Sequence, residues 1–165
     1  YSKYKNIHFS TKKNKNSVLL LGDYQINDTK DMLNKIIPYL SENGYSIGYK
    51  AHPGRSTNFN ILLKYNIKIE FDEISNLTDY ENFIVSTDSG SSIDIFLLGI
   101  KPIIYTIENK LNNNPLSNQK DLLFSSDKKE ILEYLQKPKN KVTNHQDFFY
   151  FDDNYFRWND FIKKI

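Results

Sequence analysis

The chain has 165 residues, 39% of them apolar, and 22 Lys and Arg face 20 Asp and Glu for a formal net charge of +2. That is enough chain for one domain with its own core, and so mixed a charge pattern excludes both a disordered polyelectrolyte and a basic stripe for nucleic acid. Cysteine is absent, which excludes a disulfide scaffold and a thiolate metal site and fits a reducing compartment, and no apolar run approaches the roughly 18 residues of a membrane span.

The first residue is Tyr1 rather than Met and no signal peptide is visible, so the expectation is a piece of a longer protein. Residues 1–16 then form a polar lead-in from a missing N-terminal part, 17–150 an α/β domain, and 151–165 a terminal helix. Ser17-Val18-Leu19-Leu20-Leu21-Gly22 is a continuous apolar run ending in glycine, as a central parallel strand does. A helix follows, capped by Asp28 or Thr29, with Met32, Leu33, Ile36, Ile37 and Leu40 on one face and Asn43-Gly44 as its stop. A second strand over 45–51 ends in His52-Pro53-Gly54-Arg55, and a helical segment over 59–65 leads to alternating residues at 67–71, a third strand.

Next come a short helix over 73–80 and a buried strand over 83–87. The small polar turn Asp88-Ser89-Gly90-Ser91-Ser92 then opens a helix that Gly99 ends. Lys101-Pro102 introduces a strand over 103–106, with proline where a missing donor matters least. A polar loop over 112–119, a short strand over 122–124 and a helix over 127–135 complete the pattern. Repeated strand-helix units predict a Rossmann-like three-layer domain: a parallel sheet of about six strands flanked by helices.

Two turns at the carboxyl ends of strands carry the functional signal. Ser89, Gly90, Ser91 and Ser92 are small enough for a ligand to approach the backbone, and the start of the following helix supplies N–H groups and a positive dipole end. His52, held by Pro53, has ring nitrogens to offer a phosphate or ribose oxygen, and Arg55 adds a charged fork. Glu108, just past the strand over 103–106, is placed to meet ribose hydroxyls, or is simply a solvated loop acid. Asp88 would repel a phosphate unless it faces away, so its expected role is to hold the turn by hydrogen bonds. His8 and His145 lack metal-ligand spacing, and no metal is expected. The aromatic and basic stretch 155–164 reads as a terminal helix packed on the core, and it also suits peripheral contact with a membrane.

Lys50-Ala51-His52-Pro53 followed by Ser86-Thr87-Asp88-Ser89-Gly90-Ser91-Ser92 and 96–105 resembles the donor-binding half of a GT-B glycosyltransferase. The likeness is to bacterial surface-polysaccharide enzymes with His-Pro and Ser-Ser motifs: the sialyl-, polysialyl- and Kdo-transferases and the CDP-glycerol glycerophosphotransferases. It spans roughly residues 18–135. The resemblance implies a CMP- or CDP-activated sugar or glycerol as donor substrate with no further cofactor, and a cytoplasmic enzyme working at the inner face of the bacterial membrane. By the same likeness His52 contacts the nucleotide phosphate or cytidine and stabilises the leaving phosphate, and Ser91 and Ser92 with the Gly90 backbone hold the phosphate; Pro53, Arg55, Ser89 and Glu108 are the further candidates for the nucleotide site that the residues themselves suggest. The glycan acceptor and the catalytic base are expected from the missing N-terminal domain, so this piece alone is expected to bind nucleotide and turn over little. The Asp88-Ser89-Gly90 core also resembles UDP-N-acetylglucosamine 2-epimerases, although Ser91 stands where those have a second glycine. A third reading is a non-enzymatic module that binds an anion or a protein.

Overall fold

The structure is a computed structural model and describes residues 14–55, 58–137 and Lys163. Along the described chain run β1 (Asn14–Leu21), α1 (Ile26–Glu42), β2 (Ser46–Lys50), α2 (Asn60–Lys64), β3 (Lys68–Ile69) and a 3-10 turn at Ile74–Asn76. They are followed by β4 (Tyr80–Ser86), α3 (Ser91–Leu97), β5 (Ile103–Tyr105), β6 (Leu123–Ser125) and α4 (Lys128–Gln136). All strand pairs are parallel, in the order β3-β2-β1-β4-β5-β6. This is the Rossmann-like three-layer α/β domain that the repeated strand-helix units predict.

The continuous apolar runs become the central strands because both sheet faces are covered. Val18 and Leu20 of β1 pack with Met32, Leu33, Ile36, Ile37 and Leu40 of α1 and with Ile131 and Leu135 of α4. Leu19 and Leu21 point the other way, into a smaller cluster with Phe83, Val85, Ile95 and Leu98. Alternation of side chains along β1 therefore feeds two separate cores, one on each face.

Three helices leave by one device. After α1, α2 and α3 a residue at positive φ follows the cap: Gly44 (78°), Asn66 (50°) and Gly99 (74°). In each case its N–H bonds three residues back and the next N–H bonds five back, as Tyr45 to Leu40, Ile67 to Leu62 and Ile100 to Ile95. This Schellman pattern satisfies the last carbonyls and turns the chain back toward the sheet. Glycine or asparagine is needed at that position because the left-handed region penalises a Cβ.

Several boundaries differ from those expected. β1 begins at Asn14, so residues 14–16 belong to the sheet and not to a lead-in. Neither Asp28 nor Thr29 caps α1. The helix starts at Ile26 after Gln25, and the Thr29 hydroxyl instead accepts the Asp23 N–H at 2.8 Å. The expected helix over 73–80 is one 3-10 turn of three residues, after which β4 starts at Tyr80. β3 holds only two paired residues, although the Glu70 N–H still reaches the Tyr49 carbonyl. Asp127 caps α4 through its carboxylate, which accepts the Lys129 N–H. His8, His145 and the terminal stretch over 151–165, Lys163 excepted, lie outside the described residues.

Beside that short edge strand sits a buried acid. Glu70 accepts the Tyr80 hydroxyl at 2.6 Å and pairs with Lys68 at 2.7 Å. Burial pushes its carboxyl up, but the hydrogen bonds from Lys68 and Tyr80 and the charges of Lys68 and Lys50 outweigh that and hold it below the ordinary value. A carboxyl depressed on folding contributes stability that is full above its unfolded value near 4.5 and fades as pH falls through the folded value. Glu70→Gln is therefore expected to flatten the acid limb of a plot of Tm against pH; a limb as steep as that of the parent protein would refute the assignment.

Candidate functional site

The strand order reverses at one place, between β1 and β4. There the loop after β1 leads toward β2 and the loop after β4 leads toward β5, so the two diverge and leave a crevice beyond the carboxyl ends of the strands. The register sets the level of that crevice: Leu21 pairs with both Lys50 and Val85, so β1, β2 and β4 end side by side. A pocket of about 290 Å³ opens here, lined among others by Gly22, Lys50, His52, Ser89, Ser91 and Asp94. Its size is at the small end for small-molecule clefts.

The two turns singled out in the sequence thus form opposite walls of one pocket. His52 and Pro53 contribute one wall and Ser89, Gly90 and Ser91 the other. His52 is oriented by its own turn: the Gly54 N–H donates to Nδ1 at 3.1 Å, and the Arg55 N–H bonds the His52 carbonyl at 2.9 Å. Because Nδ1 accepts a hydrogen bond, the neutral ring carries its proton on Nε2, which becomes the donor. Lys50 stands on the same side, at the end of β2.

The serine wall is more committed to itself than its composition suggests. Ser92 is fully buried and its hydroxyl donates to Asn114 Oδ1 at 3.2 Å. The Ser92 and Ile93 N–H groups bond the Ser89 and Gly90 carbonyls, and the Ser91 N–H points at Ser89 Oγ at 3.4 Å. The Ser89 hydroxyl reaches back to the Gly22 carbonyl at 3.3 Å. What this wall turns toward the pocket is therefore the Ser91 and Gly90 segment, with Asp94 one helical turn on.

Arg55 and Glu108 are not among the lining residues. The Arg55 Nε donates to the Tyr24 carbonyl at 2.6 Å, and its guanidinium lies 3.8 Å from the centre of the Tyr24 ring. Glu108 is exposed on the turn after β5, where its charge helps raise Tyr105, a hydroxyl already pushed up by burial and by its hydrogen bond to Asp31.

Three residues that sequence reading passed over hold the crevice in shape. Asp23, 6% exposed, accepts the Asp88 N–H at 3.1 Å and the Gln25 N–H at 3.3 Å, tying the loop after β1 to the turn after β4. Lys110 bridges Asp28 of α1 and Asp88 of the serine turn, and the hydrogen bond to Asp28 is the largest influence holding its ammonium above the ordinary value. Asp88 thus faces Lys110 and also accepts the Asn113 N–H, the structural role its position suggested. Asn114, buried, donates to the Thr87 carbonyl at 2.6 Å and accepts from Ser92 and Leu116. An Asp directly after the strand-ending Gly22 and an Asn before Pro115 were visible signals of turns, but nothing in the sequence names their distant partners.

Gly22 has a spatial reason at the pocket floor. A Cβ there would fall 2.8 Å from the Tyr49 hydroxyl, whose own ionisation burial pushes up to about 12. Among the described residues no cluster of three His, Cys, Asp or Glu side chains is arranged to hold a metal ion, and no helix is long and apolar enough to cross a membrane. No family model matches this chain, and comparison with curated proteins and with solved structures finds no match either.

Proposed function

We propose that this domain binds a nucleotide-activated donor and is the donor-binding half of a bacterial glycosyltransferase or glycerophosphotransferase of cell-surface polysaccharide synthesis. The observation that supports it is the convergence of His52, Lys50 and the turn at 89–91 on one pocket where the strand order reverses. A departing nucleotide builds negative charge on its phosphate. An Nε2–H donor held in one orientation on one wall stabilises such charge without reorganising, and the Lys50 ammonium, which donates to the Phe71 carbonyl at 3.4 Å, stands near enough to add to it. The donor in this proposal is CMP- or CDP-linked, and the acceptor and the base that deprotonates it come from another domain. In this proposal the phosphate sits nearer His52 than the sequence pattern alone suggests, because the Ser89, Ser91, Ser92 and Ile93 N–H groups are already engaged within the turn.

The test is a thermal-shift titration with CMP, CDP, UMP and UDP, repeated on His52→Ala. Binding to the native state adds about 2.7 kcal/mol at a hundredfold excess over Kd. The expected result is selective stabilisation by a cytidine nucleotide that is largely lost in the variant. Preference for UDP would replace this proposal by the epimerase-like or UDP-sugar alternative. No response to any nucleotide would leave the non-enzymatic module.

A further inference from the structure

We propose that Tyr24 and Arg55 form a latch between the loop after β1 and the turn at 52–55 that fixes the ring of His52, so that both are positioning residues and Arg55 is not a ligand for the donor. The latch joins the loop after β1 to the loop after β2. Arg55 grips Tyr24 in two ways at once, by the Nε hydrogen bond to its carbonyl and by stacking on its ring. The same Tyr24 ring meets His52 edge to face, with centroids 5.5 Å apart and planes at 84°. His52 is thereby held from two sides, by the Tyr24 ring and by the Gly54 N–H on Nδ1. The second restraint belongs to the turn at 52–55, whose far end is the anchored Arg55, and the first reaches it from the loop after β1.

The chemical consequence is a single tautomer. With Nδ1 occupied, Nε2–H is the only donor the neutral ring can present, which commits His52 to an anionic or carbonyl oxygen of a ligand. Released from the latch, the turn loosens, the Gly54 bond is lost part of the time, and the proton divides between the two nitrogens. Tyr24 is 53% exposed and Arg55 is also exposed, so substitutions there leave the fold intact.

Resting on the nucleotide reading only for its ligand, the latch is tested first without one. Nitrogen-15 NMR of the imidazoles at mildly alkaline pH reports the tautomer directly, and the His52 signals are those missing from His52→Ala. The parent protein and Tyr24→Phe are expected to show the Nε2–H form alone, because the Tyr24 hydroxyl takes no part. Tyr24→Ala, Arg55→Ala and Arg55→Lys are expected to show a mixture, lysine having neither the Nε donor nor a flat face. Where CDP binds the parent, the same three variants weaken it about tenfold, the worth of one charge-assisted hydrogen bond made less often. Unchanged Nε2–H signals in Tyr24→Ala and Arg55→Ala would overturn the latch. A mixture in the variants together with no CDP binding by the parent would uphold the latch and refute the nucleotide reading.

Discussion

Asn114→Ala lowers the unfolding free energy by about 2–4 kcal/mol, because it strips partners from several buried groups at once. The amide side chain donates to the Thr87 carbonyl and accepts from the Ser92 hydroxyl and the Leu116 N–H. Leu116 is itself fully buried and packs with Phe96 and Leu122, so the loop it anchors is part of a core rather than an ornament on the surface. Removing the amide leaves three polar groups in a place with little access to water, and each such group costs about 1–3 kcal/mol when no substitute partner arrives. Urea denaturation measures the loss directly, with the slope m expected to stay constant. Asn114→Asp separates the contributions, since a carboxylate still accepts from Ser92 and Leu116 but meets the Thr87 carbonyl without a donor. If Asn114→Ala unfolds within about 0.5 kcal/mol of the parent, the loop does not brace the serine turn.

Gly48→Ala is expected to be about as damaging, for a reason of space rather than of backbone freedom. Gly48 lies in mid-strand, opposite Leu19 on one side and Lys68 on the other. The volume a Cβ would fill is taken by Tyr80, whose hydroxyl oxygen would be 2.1 Å away and whose ring carbon Cζ would be 2.6 Å away. Tyr80 extends from β4 over β1 to reach the buried Glu70, so the glycine is what lets that hydrogen bond form. An added methyl forces the ring to move, which costs about 1–3 kcal/mol in overpacking, and breaking the Tyr80–Glu70 bond adds about 1 kcal/mol more. The double variant with Tyr80→Ala decides the mechanism. If Tyr80 is the obstacle, Gly48→Ala adds almost nothing in the Tyr80→Ala background; if the two effects simply add, it is not.

The layers of the fold were legible because hydrophobic period and chain stops are local. Val18 to Leu21 could only be a strand buried on both faces, and Met32 to Leu40 only one face of a helix. Gly44 and Gly99 marked helix exits for the same local reason, and the structure adds Asn66 as a third. Around 73–80 the polar-faced pattern misled, because a helix there would have consumed Tyr80, which the sheet takes for β4 and for its hydrogen bond to Glu70. The site was legible only where two conditions met: a turn residue at a strand end and a sheet order that brings those ends together. That is why His52 and Ser89 to Ser91 fall on one pocket while Arg55 and Glu108 do not line it. Arg55 carries the right chemistry for a phosphate, but nothing in the order of residues reveals that Tyr24 claims it across 31 positions. Asp23, Lys110 and Asn114 escaped notice on the same ground, their partners lying 22 to 82 residues away.

The sheet narrows steeply from its middle to its borders. β1 and β4 run for eight and seven residues, whereas the outermost strands β3 and β6 have two and three. An unpaired border is where a foreign strand would add itself, and adhesion of that kind grows with the number of consecutive amides on offer. Here a newcomer finds a ledge two or three residues long before the backbone turns away. Among the described residues the sheet thereby offers little purchase for edge-to-edge addition of another strand, by the shortness of its margins rather than by its small net charge.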